Sequence, residues 1–356
     1  MDKGDSVLCT LLHADGQIET VEATWLIGCD GAHSFVRRKL DLVFEGETLS
    51  TGFVLADVSV TGLTIPPDEP AIFWHRDGAV MFFPISYGRY RIIADLGAVS
   101  LHMPDLSEMQ KIVDQRGPSG IVLSDPVWLS DFGVNERKVR DYRKGRVFLA
   151  GDAAHIHSPA GGQGMNMGMQ DAFNLAWKLA LVERREAKPF LLESYSVERS
   201  SVARQILRDS DRMTRVVLLK SYLAQRIRNY LVKQIFSIPK VRRAIANRFS
   251  GIMIRYPDSP LNTGSNQKLR GPQPGQRLIL KQSIKGGSLP RFIIASKDHA
   301  AARAIIARYP SLLMSEVYQP PDTNGIWLIR PDGYVAVTAQ SGNWAIITAF
   351  LNSMEA

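Results

Sequence analysis

The 356-residue chain is 45% hydrophobic and 22% charged, the balance of a globular protein with apolar material for about two or three domains. No run approaches the ~18–20 consecutive apolar residues of a membrane helix, and the start Met1-Asp2-Lys3-Gly4-Asp5 has no apolar core of a signal peptide, so neither is expected. Two cysteines, Cys9 and Cys29, exclude a disulfide framework and make the cytoplasm the expected compartment, while the net charge of +8 raises the question of an acidic partner.

In chain order, Val7 to Leu12 and Ile18 to Val21 read as strands joined at Asp15-Gly16, a hairpin signal. Trp25 to Gly28 continues as strand, and a short helix is expected over Ala32 to Leu40. Residues 50 to 135 read mostly as strand: Gly52–Val60, Ala71–His75, Ala79–Ile85 and Tyr90–Leu96 are rich in Val, Ile, Phe and Tyr and broken by Gly and Pro. One helix, Leu106 to Gln115, interrupts them. A separate antiparallel sheet is the expected outcome. Arg146 to Ala150 fits a buried strand. A loop then leads into a helix over Met165 to Glu183, where Met165, Met169, Ala172, Ala176 and Leu179 recur at helical spacing and predict one apolar, inward face. Further helix runs to Phe249, broken near Pro189 and Pro239. Residues 257 to 275, with four prolines and three glycines, read as a linker. Beyond it Arg291–Ala295, Ile326–Ile329 and Tyr334–Thr338 are expected as strands and Asn343–Leu351 as helix.

The chemistry concentrates at Gly151-Asp152-Ala153-Ala154-His155 and at Ser158-Pro159-Ala160-Gly161-Gly162-Gln163-Gly164-Met165-Asn166. A carboxylate stands at the C-terminal end of a buried strand, where doubly wound sheets bind ligands. Gly161, Gly162 and Gly164 permit close approach of a flat ring to the backbone. They lead into a helix N-terminus, whose free N–H groups favour negative charge. His155-x-His157 with Asp152 is too sparse a donor set to predict a metal. Trp74, Phe73, Phe82 and Phe83 are candidates for an aromatic pocket wall or for core. Alternation allows only one face of each strand to be the wall, and the pattern leaves open which.

Gly151 to Lys178, GDAAHIHSPAGGQGMNMGMQDAFNLAWK, resembles the second FAD-binding motif of class A FAD-dependent aromatic monooxygenases, the phenol and polyketide hydroxylases. Trp25 to Arg37, WLIGCDGAHSFVR, is similar to that family's Asp-Gly motif, which serves FAD and NADPH. The two motifs occur in the family's order. The resemblance implies that Asp152 binds the ribityl chain of FAD. It places the loop Pro159, Gly161, Gly162, Gln163, Gly164, Met165 and Asn166 against the isoalloxazine ring and counts Gly151 among the cofactor-binding residues. It assigns Asp30, Gly31, Ser34 and Arg37 to cofactor binding, Arg37 as a fork able to pair with phosphate. NADPH or NADH would reduce FAD, and one atom of O2 would pass to an electron-rich aromatic substrate. No residue is identified as catalytic acid or base.

The family also opens with a βαβ unit carrying Gly-x-Gly-x-x-Gly for the ADP half of FAD. No such motif occurs here. Gly162-Gln163-Gly164-Met165-Asn166-Met167 fails at its last position. The expectation is a hydroxylase-like α/β fold plus antiparallel sheet, missing its first βαβ unit and roughly its first hundred residues. Its parts would be residues 1–45 of the FAD domain, a substrate sheet over 46–140, an FAD segment and helices over 141–256, the linker 257–275, and a thioredoxin-like unit over 276–356. That last unit lacks cysteine, so packing or homodimer formation is its expected role. A flavin-deficient remnant of the fold is the alternative reading. So is a basic binding module, since residues 206–256 hold twelve Lys and Arg against two Asp. Without a nucleic-acid motif, solvated helix faces are the expected meaning of that charge, and no specific nucleic acid is expected to bind.

Overall fold

The computed structural model describes residues 3–97, 103–157, 163–217, 219, 221–264, 269–279 and 289–356. β1 (Val7–Leu12) and β2 (Ile18–Ala23) form the expected hairpin, with Leu12 opposite Ile18. β3 (Leu26–Gly28) is followed by the one-turn helix α1 (Phe35–Lys39). Then come β4 (Phe44–Thr61), β5 (Ala71–His75), β6 (Gly78–Ser86), β7 (Arg89–Asp95), α2 (Leu106–Arg116) and β8 (Val122–Val139). Asp105 and Glu108 close α2 with a reciprocal capping box. β9 (Arg143–Lys144), β10 (Val147–Leu149) and β11 (His155–Ile156) lead to the long helices α3 (Gly164–Glu183), α4 (Glu193–Val217), α5 (Tyr222–Ser237) and α6 (Pro239–Phe249). The C-terminal part holds β12 (Thr263–Gly264), β13 (Phe292–Ala295), α7 (His299–Arg308), β14 (Leu313–Tyr318), β15 (Gly325–Ile329), β16 (Val335–Gln340) and α8 (Trp344–Met354).

The separate antiparallel sheet has six strands in the order β11-β8-β4-β7-β6-β5. Val54, Ala56 and Val58 of β4, Val80 and Phe82 of β6, and Ile92 and Ala94 of β7 point to one face and are buried with Met109 and Val113 of α2. Cross-strand register then fixes the other face. Trp128, Asp57, Arg91 and Phe83 stand side by side across β8, β4, β7 and β6. The candidate aromatic residues therefore divide. Phe73 and Phe82 meet edge to face at 5.6 Å on the α2 side, as core, whereas Phe83 and Trp74 lie on the opposite side.

A three-stranded sheet runs β3-β10-β9, with β3 and β10 parallel and Gly28 opposite Leu149. Gly28 is required there: a Cβ would fall 2.9 Å from both the Leu149 and the Val36 side chains. The C-terminal sheet is ordered β12-β16-β15-β13-β14. Its face packs Phe292, Ile294, Ile326 and Leu328 against Trp177 and Leu181 of α3, so this part shares a core with the flavin-motif helix. The described parts of the expected linker, 257–264 and 269–275, include packed residues. Leu261 is buried, and the Tyr256 N–H donates to the Gly275 carbonyl at 2.8 Å.

The period expected of α3 is present, but its inward face is not the one expected. Met165 and Met169 are 78% and 56% exposed, and Ala172 and Ala176 are also exposed. The buried face is Met167, Asp171, Asn174, Leu175, Trp177, Lys178 and Leu181. Three polar or charged residues turn inward because each finds an ion pair or a hydrogen bond there, which apolar periodicity cannot foresee.

Candidate flavin site at the ends of two parallel strands

Because β3 and β10 are parallel neighbours, the Asp-Gly and Gly-Asp motifs, about 120 residues apart in sequence, leave the same end of one sheet. The Ala150 N–H donates to Gly28 O at 3.0 Å and locks the two exits together. The carboxylate of Asp30 folds back on α1, accepting from the Ser34 hydroxyl at 2.5 Å and from the Phe35 and Val36 N–H groups at 2.7 and 3.0 Å. Partial burial pushes the Asp30 carboxyl up. The Ser34 hydroxyl and these backbone donors outweigh it and hold the group below the usual carboxylate range. Gly31 takes φ +79° to make the turn.

Arg37, expected as a fork for phosphate, is turned inward here. It is buried, donates from Nη1 to Ala153 O at 2.9 Å and from Nη2 to Ala32 O at 2.7 Å, and lies 3.8 Å over the Phe44 ring. It braces one motif against the other. A buried guanidinium surrounded by carbonyls satisfies them before it can reach outward.

Gly151 and Asp152 occupy a short turn, Gly151–Ala153, at the end of β10, with Gly151 at φ +60°. Asp152 is exposed, as an acceptor for a polyol requires. The turn is held from beneath by α3. Gly168 brings the helix so close that its Cβ, were there one, would lie 3.3 Å from the Gly151 Cα. Asp171 is the hub. Its Oδ2 accepts from Gly151 N–H at 2.9 Å and sits 2.7 Å from His155 Nε2, and its Oδ1 accepts from Arg199 Nε at 2.5 Å. Burial pushes its carboxyl up. Arg199 and His155 more than offset this, and it stays ionised. Sequence reading missed Asp171, His155 as its partner, and Arg199. The available signal was an Asp one turn below the glycine-rich start of a helix that otherwise reads as apolar.

The N-terminus of α3 carries no side-chain cap from Gln163 and no acidic residue in its first turn. Amides and dipole at a helix N-terminus favour negative charge, which suits an electron-rich ring. Gly164 and Asn166 belong to this first turn, as does the exposed Met165. Pro159, Gly161 and Gly162 lie outside the described residues. His155 spends its Nε2 on Asp171, and among the described residues no group of three His, Cys, Asp or Glu side chains is placed to hold a metal ion.

A second buried network lies one turn further along α3. Glu198 of α4 accepts from Arg330 at 2.5 and 3.0 Å, from Lys178 at 2.8 Å, from Asn174 at 2.7 Å and from the Ser259 hydroxyl at 2.5 Å. Arg330 also holds Asp332 at 2.6 Å, and Trp177 Nε1 donates to Asp332 at 3.1 Å. The Arg330-Pro331-Asp332-Gly333 turn is therefore keyed into the flavin-motif helices. Burial alone would raise the Glu198 carboxyl. Arg330 and Lys178 reverse this and hold it well below the usual range. For Lys178 burial dominates over Glu198, and its ammonium is brought down to about 8.

These groups set a pH dependence. Asp171 and Glu198 bind protons less readily folded than unfolded, so their contribution is complete above the ordinary carboxylate range and is lost as pH falls through and below it. Lys178 is also depressed. Between about 8 and 10.5 the unfolded chain holds a proton that the folded chain has released, and this group adds stability as pH rises. Urea midpoints should fall steeply below about pH 4.5. Glu198→Gln should flatten that acid limb, and an unchanged slope would contradict the assignment.

The sequence profile described as an FAD binding domain matches residues 2–210. The chain is 32% identical over 387 aligned positions to 6-methylpretetramide 4-monooxygenase of Streptomyces rimosus, covering 96% of this chain and 68% of that protein. It is 37% identical over 268 positions to pentachlorophenol 4-monooxygenase of Sphingobium chlorophenolicum, covering 74% of this chain and 48% of that protein. The solved structure of the anhydrotetracycline hydroxylase OxyS of Streptomyces rimosus superimposes with a TM-score of 0.74 at 26% identity, over all of this chain and 74% of that one. Two motifs joined at one sheet edge, and relatives of this kind, agree: the chain belongs to the FAD-binding aromatic monooxygenase family.

Proposed function

We propose that this protein takes part in the NAD(P)H-dependent hydroxylation of a phenolic or polyketide aromatic compound by O2, with FAD seated across the ends of β3 and β10. The observation that carries this reading is the Gly151–Ala153 turn. An exposed carboxylate and a positive-φ glycine meet there, on a base fixed by Asp171 of the helix α3, whose first turn follows the glycine-rich segment. Asp152 would accept from ribityl hydroxyls, and the α3 amides would stabilise negative charge on the reduced ring. Bound FAD supplies the redox and oxygen chemistry. The chain's own task is to hold the ring and to wall the substrate from water.

The face of the six-stranded sheet opposite α2 suits the second task. Trp128 is half exposed, Arg91 lies 5.0 Å over its ring, and Asp57 grips Arg91 through two bonds of 2.8 Å. With Phe83 beside them, this row offers a stacking surface with one oriented cation for an aromatic ring bearing hydroxyl groups. The relatives named above act, by name, on a pretetramide, a chlorophenol and an anhydrotetracycline.

The test is turnover by flavin-loaded protein, with a nucleotide-binding βαβ unit added as a separate chain if the 356 residues alone hold no flavin. NADPH or NADH consumption should rise on adding a phenolic compound, and mass spectrometry should find product one oxygen heavier. FAD-loaded protein that consumed NAD(P)H yet hydroxylated nothing in a broad aromatic panel would make oxidase or dehydrogenase the better name.

A further inference from the structure

The helix α5 packs through one side only. Arg228 is buried with its guanidinium 4.2 Å over the Trp74 ring, and Gln225 donates to Leu219 O at 2.6 Å. Its other side carries Leu223, Ile227, Tyr230, Leu231 and Ile235, followed by Ile238, each between 43% and 68% exposed. At 100° per residue the five helical positions fall within an arc of about 140°. This is a mostly apolar stripe on the exposed part of the helix, with the exposed Gln234 inside it. Scattered surface leucines need no explanation, but an aligned row of six large apolar side chains does.

Charge surrounds the stripe. Between Arg212 and Pro257 the sequence has eleven Lys and Arg and no Asp or Glu. Arg212, Arg226, Lys240, Arg243 and Arg255 are exposed. Solvated helix faces, the expectation from sequence, would turn polar residues outward. Here much of the exposed side of α5 is apolar, with Arg226 on the same helix and Lys240 and Arg243 on the next.

We propose that α5, with its basic surroundings, docks the protein on an anionic lipid bilayer, lying in the interface. Three occupants compete, and the combination of features selects among them. A nucleic acid would use the cations but leave the apolar row in water. A second copy meeting α5 to α5 would bury the row but bring two acid-free basic segments together. An anionic bilayer satisfies both, the stripe entering the acyl boundary and the cations meeting headgroups. Crossing is a separate matter: among the described residues no helix is long and apolar enough to span a membrane.

The experiment uses the whole chain and vesicles of phosphatidylcholine with or without phosphatidylglycerol. Co-sedimentation should require phosphatidylglycerol and weaken with added salt. Ile227→Asp with Leu231→Asp should reduce binding by about tenfold or more, and Lys240→Ser with Arg243→Ser should reduce it without affecting the salt-resistant part. All four positions are exposed, so thermal midpoints should match the parent. No sedimentation with either vesicle would overturn the proposal. So would binding that ignores the Asp substitutions, sequence-preferring DNA binding tighter than the bilayer affinity, or dimers in ultracentrifugation that those substitutions abolish.

Discussion

Glu198→Ala should destabilise the protein by about 3–5 kcal/mol, one of the largest effects available to a single substitution here. The carboxylate is wholly buried and serves Arg330, Lys178, Asn174 and Ser259 at once. Removing it leaves the fully buried Lys178 ammonium without its ion-pair partner and Arg330 with Asp332 alone. Such a loss exposes the cost of burying charge, which the intact cluster offsets. Urea unfolding followed by Trp fluorescence is a suitable probe, since Trp177 lies against the cluster, with Lys178 5.6 Å and Arg330 5.3 Å from its ring. The midpoint should drop sharply. A companion variant separates the worth of the network from the cost of breaking it. Replacing Lys178, Glu198, Arg330 and Asp332 together by Met, Leu, Met and Asn should recover much of the loss, because no buried charge of the cluster is then left without a partner. A Glu198→Ala midpoint within about 1 kcal/mol of the parent would mean that water enters and solvates the cations.

That network also explains which parts of the molecule were legible in the sequence. Where local chemistry decided structure, reading succeeded. Asp15-Gly16 predicted the hairpin, and the β-branched and aromatic runs predicted β5, β6 and β7 nearly to the residue. The turn after β10 was legible because glycine and aspartate favour a turn at a strand end. Where tertiary pairing decided, reading failed. The buried side of α3 holds Asp171, Asn174 and Lys178, whose partners lie on α4 and on the Arg330 turn. Hydrophobic periodicity therefore favoured the side that the fold leaves exposed. Arg37 looked free because its acceptors, Ala32 and Ala153, are backbone atoms, one of them 116 residues away.

The strand β8 was only partly recognised because Pro126 stands within it and Asp125 takes φ +49°. The register with β4 shifts between Asp57 and Ser59, at the point where Pro126 interrupts the ladder, so a residue that reads as a strand breaker sits at an irregularity the sheet tolerates. The segment forming α7 and β14 went unread for a different reason. His299-Ala300-Ala301-Ala302 has strong helix propensity, and the short stripe Ala302, Ile305, Ile306 and Tyr309 that packs on the core was overlooked, only Ala302 of α7 being fully buried.

Asp152→Ala should weaken flavin retention by roughly one to two decades, since a hydrogen bond to a charged group is worth about 1.5–3 kcal/mol and each decade of affinity about 1.4 kcal/mol. The side chain is exposed and among the described residues makes no hydrogen bond or ion pair, and the Gly151 amide of the turn is held by Asp171. Thermal stability without flavin should therefore match the parent. The contrast is Asp171→Asn, which leaves Asp152 in place but disturbs the base beneath it. It also exchanges an ionised acceptor of Arg199 and His155 for a neutral amide. That variant should lose stability and flavin affinity together. The two are measured side by side, by quenching of flavin fluorescence on titration and by melting without flavin. Asp152→Asn adds a third arm: it retains an acceptor oxygen but not the charge, so it should fall between parent and alanine. Loss of flavin in Asp171→Asn with no change in Asp152→Ala would move the cofactor away from this carboxylate, even in a protein that still hydroxylates its substrate.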